Sequence, residues 1–301
     1  MADLSFLGLA LECPEYCRLE NSSYYLLPVA YDGTSTWQKG ADKGPEALLL
    51  ASSQVELFDV ETRCEPFRAG IYTGPWEGYF TSPKQMVLAV QKRVAEILAL
   101  QKVPIIIGGE HSVTIGAVYA VTEFFKDLTV VQLDAHADLR NEYQGSAFNH
   151  ACVMARVKEK CPVVQVGIRS AEGTEFLKAD PERIFQAQDI CGKSDWMARV
   201  LELCNSHIYL TIDVDVFDPA FMPSTGTPEP GGLSWYEVLS LLRLLCSQRQ
   251  LVGFDIVELC PNGQPHAEFL AAKLVYKIIG YRQIGLQTLS QAKHYLPERD
   301  R

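Results

Sequence analysis

Basic residues are scarce in this chain and nowhere concentrated. Among 301 residues, 27 Lys and Arg stand against 37 Asp and Glu, a formal charge of −10. Nucleic-acid and anionic-membrane partners need a basic footprint, so neither is expected. No run approaches the roughly 20 apolar residues that cross a bilayer. The opening "MADLSFLGLALECPEY" lacks the basic start of a secretory leader. The 9 cysteines are odd in number and scattered. Their one close pair, Cys13 and Cys17, has no second pair with which to complete a zinc site. Such spacing in a long chain reads as reduced thiols, and a cytoplasmic protein is expected. Repeats, low-complexity tracts and linkers are missing as well, so residues 1–301 are expected to form a single domain.

What the sequence does contain is an alternation of short apolar strands and longer helical patterns. Residues 103–109, 128–134, 162–168, 207–215 and 250–258 predict strands buried on both faces. The stretch 82–101 predicts a helix, with Ser82 at its cap and Pro83 in its first turn. Residues 234–248 predict another, opened by the capping-box pair Ser234 and Glu237. Continuous apolar strands separated by helices specify an α/β fold around a mainly parallel sheet.

Polar clusters recur where those strands stop. Glu110 and His111 follow "IIIGG", and Asp134, His136 and Asp138 follow "VVQL". Asp213 and Asp215 follow "YLTI", and Glu258 follows "VGFDIV". In open α/β sheets ligands bind outside the carboxyl ends of the strands. Spacing of i and i+2 turns two side chains to one side of an extended backbone. A lone Asp-x-Asp after a strand more often caps a turn, and Gly108-Gly109 alone could be a tight turn or a phosphate cradle. Several clusters of one chemistry at equivalent strand ends point instead to a shared centre. Four aspartates held together repel unless cations lie between them. Two ions balance that charge better than one, and thiolate-free, carboxylate-rich ligation favours a hard ion such as Mn²⁺.

In order along the chain, "GADKGPEAL" (40–48), "GGEHSVTIG" (108–116), "DAHADLR" (134–140), "VGIRS" (166–170), "DVDVFDP" (213–219), "STGTPEPGG" (224–232) and "VELCP" (257–261) resemble the ureohydrolases, the arginase and agmatinase family. The agmatinase branch fits best. The resemblance implies a three-layer α/β/α domain with the arginase-like fold and an eight-stranded, mainly parallel sheet. It implies two Mn²⁺ ions per subunit, the first held by His111, Asp134, Asp138 and Asp213. Asp134, His136, Asp213 and Asp215 would hold the second, with Asp134 and Asp213 bridging. Glu258 would bind the guanidinium, and His150 in "SAFNHACV" would shuttle protons, with Asp138 as the alternative carrier. Glu110 replaces a commoner Asp and is not a ligand. Asp255, at odd spacing from Glu258, pairs inside the fold.

The implied reaction hydrolyses a small cationic guanidino compound: agmatine, to putrescine and urea. Guanidinobutyrate or arginine as substrate, or a non-catalytic metal-binding homologue, are the alternatives. Arginine is disfavoured because Phe148 stands in the 146–150 loop where a carboxylate-binding Asn would be. Family members commonly form trimers or hexamers.

Overall fold

The computed structural model describes residues 4–294, with side chains through residue 286. Its eight strands are β1 (Tyr24–Val29), β2 (Ile71–Thr73), β3 (Val103–Gly108), β4 (Leu128–Leu133), β5 (Val163–Ile168), β6 (Ile184–Gln186), β7 (His207–Asp213) and β8 (Gln250–Val257). They form one sheet in the order β2-β1-β3-β8-β7-β4-β5-β6. Every neighbouring pair is parallel.

Side chains alternate between the two faces, and each face is covered by helices. Tyr24, Ile105, Leu133, Leu210 and Phe254 pack toward the helices Gly44–Ser52, Trp196–Glu202, Trp235–Gln248 and Pro265–His294. Leu27, Ile106, Val130 and Tyr209 pack toward Pro83–Ala99, Val113–Phe124 and Val153–Lys158. Each fully buried aliphatic side chain there contributes about 1.5–3 kcal/mol. The result is the three-layer arrangement that the motifs implied.

The strands β3, β8, β7 and β4 are consecutive in the sheet. Their carboxyl ends therefore lie side by side, although His111 and Glu258, in the first and last of the polar clusters they carry, are 147 residues apart. Two helix starts were legible. Ser82 caps Pro83–Ala99, and Ser234 with Glu237 forms a complete capping box. Three strands were not singled out. Pro28 interrupts the pattern of β1, and β2 and β6 are three-residue strands at the two sheet edges. β7 stops at Asp213, two residues short of the expected end, because Val214–Val216 turns into a 3-10 helix. Among the described residues no helix is long and apolar enough to cross a membrane.

Candidate metal centre and substrate pocket

His111 sits in the turn between β3 and the helix Val113–Phe124, and two glycines let that turn close. A Cβ at Gly108 would lie 2.5 Å from Val113 Cγ2, and one at Gly109 would lie 2.0 Å from the Tyr31 carbonyl oxygen. These glycines therefore permit close backbone packing. Asp134, His136 and Asp138 leave the end of β4, Asp213 ends β7, and Asp215 lies on the following turn.

Two clusters result. Ligand-type atoms of His111, Asp134 and Asp213 lie within 4.8 Å of one another, as do those of Asp134, His136 and Asp215. His111 Nδ1 is 3.1 Å from Asp134 Oδ2, 3.1 Å from Asp138 Oδ2 and 3.5 Å from Asp213 Oδ2. His136 Nδ1 is 2.8 Å from Asp215 Oδ2 and 3.7 Å from Asp134 Oδ1. Asp134 belongs to both clusters. Asp213 joins the first, while its Oδ1 accepts a 2.9 Å hydrogen bond from the Asp215 amide.

The electrostatics are those of crowded, buried acids. Burial and the charges of Asp215 and Asp134 hold the Asp213 carboxyl well above the usual range. Burial raises Asp215. Burial and Asp134 push Asp138 up to about 6. Burial would raise Asp134 too, but the close imidazoles of His111 and His136 hold it below its ordinary value. Burial would lower His136, yet Asp215 and Asp134 push it up to about 12. Two buried atoms, His111 Nδ1 and Asp215 Oδ2, make no well-directed hydrogen bond. Both face the acidic clusters. Orphaned polar atoms among imidazole and carboxylate donors fit a pair of hard divalent cations.

A polar layer beneath these residues went unread in the sequence. Gln132 Nε2 donates to Asp134 Oδ2 (2.6 Å), and Gln165 Nε2 holds Gln132 Oε1 (2.6 Å) and the Ala137 carbonyl (2.7 Å). The Arg169 guanidinium donates to the carbonyls of Asp215 (2.7 Å) and Glu229 (2.8 Å), tying two loops together. A signal did exist. Gln132 and Thr211 stand two positions before Asp134 and Asp213, polar residues on the same face of otherwise apolar strands.

The acids open into a cavity of about 230 Å³ whose lining includes His111, Asp138, His150, Asp213 and Glu258. Glu258 and Asp138 both adopt left-handed backbone, with φ of 63° and 51°, a conformation that costs about 1–2 kcal/mol outside glycine. Glu258 Oε1 accepts a 2.7 Å hydrogen bond from the His111 amide. His150 Nδ1 lies 3.7 Å from that same oxygen. The His150 amide donates to Thr34 Oγ1 at 2.9 Å. Burial would lower the His150 pKa, but Glu258, Asp138 and Glu110 raise it.

Glu110 faces away from the clusters. It accepts from the Thr34 amide (2.5 Å), the Thr34 hydroxyl (2.8 Å) and the Ser112 hydroxyl, and burial with the Glu258 charge lifts its pKa to about 7. Asp255 is likewise buried and paired, as its spacing indicated, with Tyr209, Thr211 and Thr114.

Arg140, Tyr143, Glu172, Glu175 and Phe176 also line the cavity. Arg140 stacks 4.4 Å from the Tyr143 ring centroid. Phe148 packs into the apolar layer of the Val113–Phe124 and Val153–Lys158 helices, so its ring does not line the pocket. Glu172 and Glu175 were not anticipated, although they follow "VGIRS" at a strand end like the other clusters.

Comparison with known proteins agrees with this geometry. The sequence pattern of the arginase family matches residues 22–280. The chain is 38% identical over 283 residues to N(1)-aminopropylagmatine ureohydrolase of Synechocystis sp., covering 90% of this chain and 92% of that protein. It is 31% identical over 266 residues to agmatinase of Pyrococcus horikoshii, covering 87% and 93%. The crystal structure of agmatine ureohydrolase of Thermoplasma volcanium superposes with a TM-score of 0.82 at 29% identity, covering 94% of this chain and 96% of that one.

Proposed function

Given that the chain belongs to the arginase family and is a ureohydrolase of agmatinase type, we propose that it hydrolyses agmatine to putrescine and urea on two Mn²⁺ ions. The observation that carries this reading is the pair of acid–histidine clusters sharing Asp134, with Glu258 on the same cavity. His111, Asp134, Asp138 and Asp213 would hold one ion; Asp134, His136, Asp213 and Asp215 would hold the other. Bound there, the ions supply charge that acidifies water and yields a nucleophile at neutral pH.

The chain's own residues do the rest. Glu258 accepts parallel N–H bonds from the planar guanidinium and fixes its orientation. Its neighbour His150, whose pKa the surrounding carboxylates raise against the effect of burial, delivers a proton to the departing amine. Asp138 is the second group on the cavity able to carry that proton.

Substrate choice follows from the charged residues that line the cavity away from the clusters. Glu172 and Glu175 outnumber Arg140 there, so a distal ammonium is matched and a distal carboxylate is not. An aminopropyl extension of agmatine carries one more ammonium into that region. The 38% identity to enzymes named for that substrate favours it as the second reading. Assembly of single-domain subunits (1–301) into trimers or hexamers, in a reducing cytoplasm that keeps all 9 cysteines free, belongs to the same proposal.

Urea release from agmatine, N(1)-aminopropylagmatine, 4-guanidinobutyrate and arginine under identical Mn²⁺ loading tests it. The two amines should exceed the two carboxylates in kcat/KM by several orders of magnitude. A preference for either carboxylate overturns the reading. The ratio between the amines decides between agmatine and its extension.

A further inference from the structure

One buried carboxylate takes no part in the reaction as described. Asp255 lies on β8 on the sheet face turned toward the Val113–Phe124 helix, fully buried. Its Oδ1 accepts from the Thr211 hydroxyl at 2.6 Å, and its Oδ2 accepts from Tyr209 (2.7 Å) and Thr114 (3.0 Å). The Thr211 oxygen lies 2.8 Å from Nε2 of His111.

The direction of this chain of hydrogen bonds is determined by its end. A carboxylate surrounded by three hydroxyls accepts and does not donate. The Thr211 proton therefore points at Asp255, which leaves a Thr211 lone pair for His111. Nε2 must then carry the hydrogen, so the lone pair of a neutral ring resides on Nδ1. That is the buried atom which faces Asp134, Asp138 and Asp213 and finds no well-directed partner.

We propose that Asp255, acting through Thr211, is a positioning residue that locks His111 in its Nε2–H tautomer and aims Nδ1 at the metal. The inference rests on the two-ion reading above. The second histidine provides an internal control. Among the described residues the acid nearest His136 Nε2 is Glu229, whose Oε1 lies at 3.9 Å, beyond hydrogen-bond reach. The relay therefore serves one ion of the pair. Such outer partners of a ligating histidine typically change metal affinity by about 10–100-fold when removed.

Calorimetric titration of the metal-free protein with Mn²⁺ tests this, together with electron paramagnetic resonance at limiting metal. Thr211→Val keeps the shape and removes the hydroxyl. One of its two dissociation constants should rise about 10–100-fold while the other stays within about twofold. At limiting metal the spectrum should show isolated ions. Thr211→Ser, which restores the hydroxyl, should restore wild-type binding. Asp255→Asn should weaken the same ion as Thr211→Val. Wild-type constants in Thr211→Val, equal weakening of both ions, or failure of serine to rescue would each overturn the relay. Should Thr211→Val not fold, the comparison of Thr211→Ser with Asp255→Asn decides alone: equal affinities refute the proposal. If the wild-type protein takes up no Mn²⁺, the two-ion reading itself fails, an outcome distinct from all of these.

Discussion

The carboxylate of Glu258 is hung on the backbone of His111: Oε1 accepts from the His111 amide at 2.7 Å. The group that binds substrate is thereby registered to the turn that carries a metal ligand. Glu258→Gln preserves this bond, because the amide oxygen still accepts, while it removes the charge and turns a donor toward the guanidinium. Mn²⁺ content should remain that of the wild type, while kcat/KM should fall by roughly a hundredfold or more. A variant within about twofold of wild type would place the guanidinium elsewhere.

Asp134 belongs to both acid–histidine clusters and Asp213 to one. An asparagine offers one neutral acceptor oxygen and turns a donor toward the other side. Asp134→Asn should therefore lose both ions, and Asp213→Asn should lose the His111-side ion first. Elemental analysis after dialysis checks this. Wild-type metal content with full activity in either variant would remove that residue from the centre.

Metal binding has to displace protons. In the metal-free protein His136 is pushed up to about 12 and His111 well above its ordinary value, so both rings hold a proton more tightly than a free imidazole does. Their contribution to metal-free stability is complete below the unfolded histidine pKa of about 6.5. It is lost progressively as pH rises toward the folded values. Metal-free protein should therefore lose stability as pH is raised above about 6.5, whereas Mn²⁺ affinity should increase. Denaturant midpoints across pH, and calorimetry in buffers of different ionisation enthalpy, provide the readout. Uptake of Mn²⁺ without proton release would contradict it.

Glu110 governs His150 at one remove. Its carboxylate receives the Thr34 amide and hydroxyl, and the Thr34 oxygen receives the His150 amide. Glu110→Gln places an amide donor among those donors and should shift Thr34. We expect kcat to drop about ten- to a hundredfold with Mn²⁺ content unchanged. His150→Asn should then add little further loss in the double variant. Additive losses would show that Glu110 acts independently of His150.

The alternating pattern and the strand-end acids made the sheet and the ligand set legible, because buried parallel strands and paired carboxylates both leave marks within a few residues. Thr34 and Glu110 are 76 residues apart, and nothing local in "YDGTS" announces that its threonine holds a histidine loop. Asp255 was read from its spacing as pairing inside the fold; the layer of Gln132, Gln165 and Thr211 was legible in principle. Each is polar within an apolar strand, but that pattern also suits a half-exposed edge. Only the strand order, which places β5, β4 and β7 side by side within the sheet, turns those residues inward. Phe148 shows the converse. Its position in the loop was read from motif spacing, but the apolar layer draws its ring away from the pocket.

The left-handed backbone at Asp138 has a consequence for how such a protein can change. Glycine would relieve a conformation costing about 1–2 kcal/mol, against roughly 0.5–1 kcal/mol for the extra freedom of its unfolded chain. It would also delete a carboxyl that burial and the Asp134 charge lift to about 6. Metal-free Asp138→Gly should accordingly melt above the metal-free parent while losing turnover. Random drift would be drawn toward that sturdier, inert protein, and only selection for turnover opposes it. Inactive descendants of this fold should therefore be no less robust than their working ancestors.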